Sequence, residues 1–304
     1  MISDLFAIGR DTPVIIQGVT GRMGRRHAAL MRAYGTRIVG GTSARPGGIE
    51  DMPVFGDCRA AVAATGAQAS VVMVPPEDVL AAAVEAIAAG IRVVVTIAEG
   101  VPVHDALKLK AIAAAAGAVW IGPSTPGMAR PGVVKLGFLP DIALRPGDWA
   151  LLTKSGTLSY EVGYRLAARD LGQSIWIGVG GDVVKGVRFA DLVEPLAQHA
   201  SSRGILLVGE VGGTEEEEFA DALIRHRFQK PVLALLAGRE SKQGVAMGHA
   251  GALTFGETGT LRSKRERLEA AGAEVFFSLD ALVARAAALS PSSNHDQSKE
   301  HAHG

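Results

Sequence analysis

The stretch that decides the fold is Val14-Ile15-Ile16-Gln17-Gly18-Val19-Thr20-Gly21-Arg22-Met23-Gly24-Arg25. A short apolar run followed by three glycines at intervals of three is typical of a strand, a tight turn and a helix. Glycine reaches backbone angles that other residues avoid, and the N–H groups at the start of a helix suit an anion. The stretch therefore predicts a strand–turn–helix unit with a phosphate-binding turn at Gly18, Gly21 and Gly24. A glycine turn that only packs helix against strand is the alternative.

The residues after the second predicted strand bear on which phosphorylated ligand binds there. An NAD site has an acidic residue about 20 positions further on, whereas this chain reads Gly40-Gly41-Thr42-Ser43-Ala44-Arg45. Arg45 favours an additional phosphate, such as that of NADP or the 3′-phosphate of coenzyme A. The sequence thus disfavours NAD and leaves NADP and CoA open.

Strand and helix patterns alternate along the rest of the chain. Apolar runs at 37–39, 70–74 and 92–95 are separated by alanine-rich helical stretches at 76–89 and 103–116. This alternation indicates a parallel sheet covered on both faces. After a Pro/Gly-spaced stretch, a second series has strands at 149–152, 174–179, 204–208, 231–235 and 274–278. We therefore predict a first α/β domain over 1–128, a connection over 129–147, a second α/β domain over 148–289 and a disordered tail over 290–304.

Composition excludes several classes of protein. The 304 residues carry 31 basic and 31 acidic side chains, and this zero net charge argues against nucleic acid as a partner. The single cysteine, Cys58, is expected to be a buried small residue in a reducing compartment. No apolar stretch approaches the roughly 20 residues of a membrane span, and no signal peptide is recognisable. We therefore expect a soluble cytoplasmic protein. We also expect no metal site, because the tail histidines His295, His301 and His303 fit a solvated terminus.

A single histidine lies in a glycine-dense loop, Met247-Gly248-His249-Ala250-Gly251-Ala252, with more glycines at 244, 256 and 259. A nucleophilic side chain amid such conformational freedom suggests a carrier of a covalent intermediate. The alternative is a glycine-rich turn whose histidine only caps it or meets water.

Nine segments in order carry a family resemblance. They are Gln17-Gly18-Val19-Thr20-Gly21, Tyr34-Gly35-Thr36, Val39-Gly40-Gly41, Thr96-Ile97-Ala98-Glu99-Gly100, Gly122-Pro123, Ser155-Gly156-Thr157-Leu158-Ser159-Tyr160-Glu161, Gly178-Val179-Gly180-Gly181-Asp182, Gly209-Glu210-Val211-Gly212-Gly213 and Gly248-His249-Ala250-Gly251-Ala252. On the basis of these segments together, the chain resembles the α-subunits of succinyl-CoA synthetase and related NDP-forming acyl-CoA ligases over about residues 10–288.

The resemblance implies a Rossmann-like CoA-binding domain followed by a flavodoxin-like ligase domain. It makes His249 the transiently phosphorylated residue, Glu210 the carboxylate that steadies it, and Tyr160 a substrate-site position near a partner subunit. The implied CoA-binding residues, with the glycine turn and Arg45 included, are Gly18, Thr20, Gly21, Arg22, Met23, Arg45, Pro75, Ile97, Ala98 and Glu99.

Physical chemistry agrees with these roles. A carboxylate that accepts from Nδ1–H fixes the histidine tautomer and leaves Nε2 free to attack a phosphoryl group. Alternatively, Glu210 is the acidic start of the next helix, together with Glu215 to Glu218. Ser155-Gly156-Thr157 opens a helix, so its N–H groups suit the phosphoryl group on His249, while Ser155 also suits an ordinary helix cap.

The chain has no Gly-x-x-x-x-Gly-Lys-Ser/Thr loop, the usual mark of a nucleoside triphosphate site. The resemblance therefore implies that ATP or GTP binds with Mg²⁺ to a β-subunit of ATP-grasp fold. The expected assembly is αβ or α2β2.

Two departures from the family pattern concern the substrate. Ser124-Thr125 replaces the usual Asn-Cys near the acyl group, and Val183-Val184-Lys185 replaces Pro-Ile-Pro. The expected substrate is a small acid: succinate-like, malate or a sulfonated carboxylate. The sequence thus predicts an α-subunit of a carboxylate–CoA ligase. A CoA-sensing module without turnover and an NADP-linked reductase are the alternatives.

Overall fold

The computed structural model describes residues 2–44, 49, 51–238, 249, 251–254 and 256–290. Arg45, Gly248, Ala250 and most of the tail lie outside the described residues, and so does the predicted phosphate contact of Arg45.

The first domain is built on a six-stranded sheet in which every pair of neighbours is parallel. Its strands are β1 (Val14–Gln17), β2 (Ile38–Thr42), β3 (Val54–Phe55), β4 (Ala69–Val72), β5 (Val93–Thr96) and β6 (Val119–Ile121). The spatial order β3-β2-β1-β4-β5-β6 is that of Rossmann dinucleotide-binding domains. The Rossmann-like prediction is confirmed.

The helices that the described residues form beside this sheet are α1 (Ser3–Ala7), α2 (Arg22–Tyr34), α3 (Cys58–Thr65), α4 (Val79–Ala88) and α5 (Val103–Ala116). The turn between β1 and α2 depends on Gly18, which has φ +76° and would place a Cβ 2.6 Å from the Met73 carbonyl oxygen. Only glycine allows the turn to approach β4 so closely. Cys58 is buried at the start of α3, as expected, and burial raises the pKa of its thiol to about 12.

The second domain has a seven-stranded sheet in the order β13-β12-β11-β9-β10-β7-β8. Its parallel strands are β9 (Pro146–Thr153), β10 (Gln173–Gly178), β11 (Gly204–Glu210), β12 (Val232–Ala237) and β13 (Glu274–Phe276). Its helices are α6 (Gly156–Ala167), α7 (Val193–Gln198), α8 (Glu215–Arg225), α9 (Leu261–Ala270) and α10 (Leu279–Leu289). The parallel part has flavodoxin-like order, which confirms the predicted fold class.

The predicted connection over 129–147 is wrong in its secondary structure. β7 (Gly127–Arg130) and β8 (Val134–Gly137) form an antiparallel hairpin, and β7 extends the second sheet by pairing with β10. Gly127 and Gly137 lie opposite each other in the hairpin. Both have positive φ, and a Cβ on either would overlap the opposite strand, so both positions require glycine. These glycines read as loop punctuation in the sequence, although they allow two strands to approach closely.

The hairpin also joins the two sheets. Residues of β1, β5 and β6 share one buried apolar cluster with residues of β7 to β10. Between α2 and β2, the buried Thr36 hydroxyl donates to the Lys135 carbonyl at 2.8 Å and accepts from the Lys135 N–H at 3.1 Å. One side chain of the first domain thus pairs both main-chain polar groups of a β8 residue. Within the described ranges, no helix is long and apolar enough to cross a membrane.

We predict that Thr36→Val destabilises the protein by about 2 kcal/mol or more, because it leaves two buried main-chain groups of Lys135 without partners. Thr36→Ser keeps the hydroxyl and loses one buried methyl, which costs about 1 kcal/mol. Urea unfolding of the three proteins measures the difference. A Thr36→Val protein as stable as Thr36→Ser would contradict this account of the junction.

Candidate active site

The centre of the site is a hydrogen bond between His249 and Glu210. Glu210 is the last residue of β11, so its side chain lies at the carboxyl edge of the parallel sheet, where open α/β sheets bind ligands. Its Oε2 lies 2.7 Å from His249 Nδ1 although the two residues are 39 positions apart in the chain. The structure thus brings together the two residues predicted to be catalytic.

The hydrogen bond determines the state of the imidazole. An ionised carboxylate only accepts, so Nδ1 carries the proton and Nε2 is the nitrogen with the free lone pair. The hydrogen bond to Glu210 raises the pKa of His249, although burial opposes this, and the charge of Glu99 also raises it. Because folding raises this pKa, the bond stabilises the fold below the ordinary histidine pKa, and that contribution is lost as the pH rises through the folded value.

Gly181 forms one wall against the imidazole. A Cβ at Gly181 would lie 2.4 Å from His249 Cδ2 and 3.0 Å from Nε2. The Gly181 carbonyl also accepts from the N–H of Gly251 at 3.1 Å. The motif around Gly181 was part of the resemblance, but its contact with the ring was not anticipated.

The predicted phosphate-holding residues start α6. Ser155 is the helix N-cap, and its Oγ accepts from the Leu158 N–H at 3.4 Å. Thr153 at the end of β9 pairs with Val208 of β11, so Gly156 and Thr157 begin a helix at the same sheet edge as Glu210. Tyr160 is half-buried, and its ring is tilted against Trp176 at 6.2 Å between centroids.

A cavity of about 220 Å³ lies beside Glu210. Its charged lining residues are Lys154, Asp182, Lys185, Arg188, Glu210 and Glu215. Of these, the sequence analysis proposed only Glu210 as a site residue. Among the described residues, no group of three or more His, Cys, Asp or Glu side chains is placed to hold a metal ion.

A larger cavity of about 910 Å³ lies at the glycine turn of the first domain. Of the predicted CoA-binding residues, Gly18, Thr20, Gly21 and Pro75 line it. Thr20 Oγ1 is hydrogen-bonded to Ser43 Oγ at 2.6 Å. Arg22 and Met23 do not line this cavity; both are exposed at the start of α2.

Among the described residues, Arg25 is the cationic side chain that lines that cavity, and the sequence analysis missed it as a site residue. Its Nε donates to the Thr20 carbonyl at 3.0 Å. Its position directly after Gly24 and one helical turn after Gly21 is the signal that would have found it.

The other predicted CoA-binding residues, Ile97, Ala98 and Glu99, follow β5 at the junction between the domains. The Ala98 carbonyl accepts from the Ser124 N–H at 2.8 Å, and the Ser124 carbonyl accepts from the Gly181 N–H at 3.2 Å. Ser124 therefore connects the end of β5 to the glycine that contacts His249. Burial and the charge of Glu99 raise the pKa of Asp182, which follows Gly181.

Thr125 was predicted to contact the substrate, but its hydroxyl is already paired within the protein. The side chain is buried; its Oγ1 donates to the Gly178 carbonyl and accepts from the Gly127 N–H. Thr125 thus ties the end of β10 to the start of β7, and of the pair Ser124-Thr125 it is Ser124 that lies at the domain junction.

Comparison with known proteins identifies the family. The model of the CoA binding domain matches residues 9–100, and the CoA-ligase model matches residues 152–274. The α-subunit of ADP-forming succinate–CoA ligase from Aquifex aeolicus is 42% identical over 273 residues, which cover 88% of this chain and 89% of the relative. The chain belongs to the family of succinate–CoA ligase α-subunits. The family also includes subunit SauD of the ADP-forming sulfoacetate–CoA ligase from Bilophila wadsworthia, 36% identical over 88% of this chain and 93% of the relative.

Solved structures share the fold of this α-subunit family member. The ATP citrate lyase of Methanothrix soehngenii, in complex with citrate and coenzyme A, superposes with a TM-score of 0.82 at 24% identity, over 91% of this chain. The acetyl-coenzyme A synthetase 1 of Ca. Korarchaeum cryptofilum gives 0.75 at 18% identity, over 93% of this chain. The chain spans 49% and 61% of those two longer chains.

We predict that Glu210→Gln lowers the pKa of His249, because the neutral amide no longer stabilises the imidazolium. An NMR titration of the histidine ring protons measures the change. His27 and His199, whose pKa values are lowered chiefly by burial, serve as references in the same spectra. An unchanged His249 titration would show that Glu210 does not control this imidazole.

Proposed function

We propose that this chain is the α-subunit of an NDP-forming carboxylate–CoA ligase whose phosphoryl carrier is His249. The observation that carries the proposal is the 2.7 Å hydrogen bond from His249 Nδ1 to Glu210. It orients Nε2 as a nucleophile and stabilises the positive charge that develops on the ring during attack.

The reaction has three displacement steps. His249 Nε2 attacks the γ-phosphorus of a nucleoside triphosphate; the P–O bond to the diphosphate breaks and the diphosphate leaves. A substrate carboxylate then attacks the phosphorus, which gives an acyl phosphate and returns neutral His249. Finally the CoA sulfur attacks the acyl carbon, the thiol proton is released, and inorganic phosphate leaves. The phosphorylated intermediates couple thioester formation to nucleotide cleavage.

The cavity at the glycine turn and the domain junction suit the two ends of CoA. The cavity at Gly18, Thr20 and Arg25 offers the N-terminal end of α2 and a guanidinium to the phosphates of CoA. The junction at Ile97, Ala98 and Glu99 would receive the thiol end, because Ser124 connects this segment to Gly181 beside the histidine. The exposed start of α2 at Arg22 and Met23 borders the same site.

The nucleotide, ATP or GTP with Mg²⁺, would bind to a β-subunit of ATP-grasp fold in an αβ or α2β2 assembly. The chain lacks a phosphate-binding loop of the Gly-x-x-x-x-Gly-Lys-Ser/Thr type. The glycines around His249 would let the histidine face first the partner's nucleotide and then the acyl acceptor.

The acid substrate would be small and carry a second polar or acidic group. Succinate, malate and a sulfonated carboxylate such as that named for the Bilophila relative are the candidates. Ser124 occupies the domain junction where such an acid would meet both CoA and His249. Tyr160 lies on α6, the helix that begins at the same sheet edge as Glu210.

The proposal predicts that γ-labelled ATP or GTP transfers label to this chain in the complex with its co-expressed β-subunit. The label should be acid-labile and base-stable, as a phosphoramidate is, and one acid from a panel plus CoA should discharge it. His249→Asn removes the nucleophile and should abolish the label, whereas His27→Asn, at a histidine stacked on Phe138, should keep it. A formed complex that accepts no label from either nucleotide would contradict the proposal.

A further inference from the structure

Helix α8 begins with three acidic residues that are buried. Acids at a helix N-terminus ordinarily lie in solvent and interact with the helix dipole. Here the exposed fractions of Glu215, Glu216 and Glu217 are only 3%, 0% and 4%. Burying a carboxylate is costly unless it is paired, so each of these side chains needs a partner.

Glu216 is paired with two lysines from different elements. Its Oε1 lies 2.8 Å from Lys154 Nζ, after β9, and its Oε2 contacts Lys264 Nζ, on α9. All three side chains are at most 4% exposed. Burial opposes ionisation of Glu216, but the two ammonium groups outweigh it and lower its pKa to about 2.

This network holds the main chain of Glu210 at both of its polar groups. Glu216 Oε1 accepts from the Glu210 N–H at 3.1 Å. Lys264 Nζ donates to the Glu210 carbonyl at 2.6 Å and to the Gly212 carbonyl at 2.5 Å. The Val211 N–H still donates to the Ala237 carbonyl of β12 at 3.0 Å, whereas the Glu210 and Gly212 carbonyls are held by Lys264.

We infer that Lys264 and Glu216 are positioning residues for the phosphoryl carrier: they fix the backbone of Glu210 so that its carboxylate remains aimed at His249 Nδ1. The inference concerns the site of the proposed function and adds residues that touch neither the imidazole nor a substrate. An ion network is a poor route to stability alone, because replacing it with apolar residues is often neutral or favourable. Its value here lies in holding three main-chain groups next to the reactive pair.

A second acidic residue of the same turn supports the inference. Glu215 Oε2 lies 2.8 Å from Lys185 Nζ, which also donates to the Gly180 carbonyl at 2.6 Å. Gly180 precedes Gly181, the residue against the imidazole ring. The first turn of α8 therefore fixes the backbone on both sides of His249, through Lys264 on one side and Lys185 on the other.

The test is Lys264→Met, which removes the donor to Glu210 and Gly212. The Lys154–Glu216 pair that remains is balanced in charge. The charged groups that act on His249 are Glu210, Glu99 and Lys154, and this variant retains all of them. We expect the pKa of His249, measured by NMR in the full chain, to fall as it does in Glu210→Gln. The rate of His249 labelling in the complex should fall about tenfold to hundredfold, as misplacement of a catalytic group by about 1 Å does.

Lys135→Met is the matched control. Lys135 is also a buried lysine, 3% exposed, and it pairs with Asp141 at the domain junction. This variant removes a buried ammonium from its ion pair, although Asp141 is half exposed, and Lys135 contacts neither Glu210 nor Gly212. Its His249 pKa should equal that of the unmodified chain. Were Lys264→Met to fail to fold, Lys264→Gln, whose amide can still donate to one carbonyl, takes its place in the same measurements.

The double variant Glu210→Gln/Lys264→Met separates positioning from a general loss of order. If Lys264 acts through Glu210, adding Lys264→Met to Glu210→Gln lowers the pKa of His249 no further. An unchanged pKa in Lys264→Met, or a further fall in the double variant, would overturn the inference. The titration requires neither nucleotide nor partner. Failure of labelling alone would therefore contradict the ligase proposal, on which the role in phosphoryl transfer rests, and would leave the positioning of Glu210 against His249 by Lys264 to be decided by the titration.

Discussion

The site depends on one constraint: Nδ1 of His249 must remain protonated and hydrogen-bonded so that Nε2 keeps an unshared lone pair. The Glu210 carboxylate at 2.7 Å meets that requirement, and much of the second domain serves to place it. β11 carries Glu210 to the edge of the sheet, Gly181 leaves room for the ring, and buried ammonium groups hold the turn after β11. In the proposed mechanism the glycines around the nucleophile give it freedom of movement at the cost of a fixed orientation, and the carboxylate restores that orientation.

The sequence was sufficient for features that rest on local pattern. Buried parallel strands appear as apolar runs, so the two parallel sheets were predicted, and an alanine-rich stretch predicted α5 at Val103–Ala116. The Rossmann-like and flavodoxin-like assignments came from the family resemblance. The pairing of His249 with Glu210 came from the family resemblance, because the two residues are 39 positions apart. No local pattern reports a contact of that kind.

The features that sequence reasoning missed have physical causes of their own. Lys264 lies in the stretch Leu261-Arg262-Ser263-Lys264-Arg265-Glu266-Arg267, which has the composition of a solvated helix face, yet its ammonium is fully buried against Glu216, 48 positions away. Glu215 to Glu217 fitted an ordinary helix start. The β7–β8 hairpin was hidden because glycine marks both loops and close strand contacts. The hydroxyl of Thr125 could bind a substrate, but it is hydrogen-bonded to Gly178 and Gly127, and such pairing is decided by tertiary packing that the sequence does not show.

The most direct test of the central claim is the nitrogen to which phosphorus is attached. Phosphorylation of the ¹⁵N-histidine-labelled chain in the complex, followed by NMR detection of the ¹⁵N–³¹P coupling, identifies that nitrogen. Because Glu210 occupies Nδ1, the account predicts attachment at Nε2 of His249 and a protonated Nδ1. Phosphorus on Nδ1, or on any residue other than His249, would contradict it.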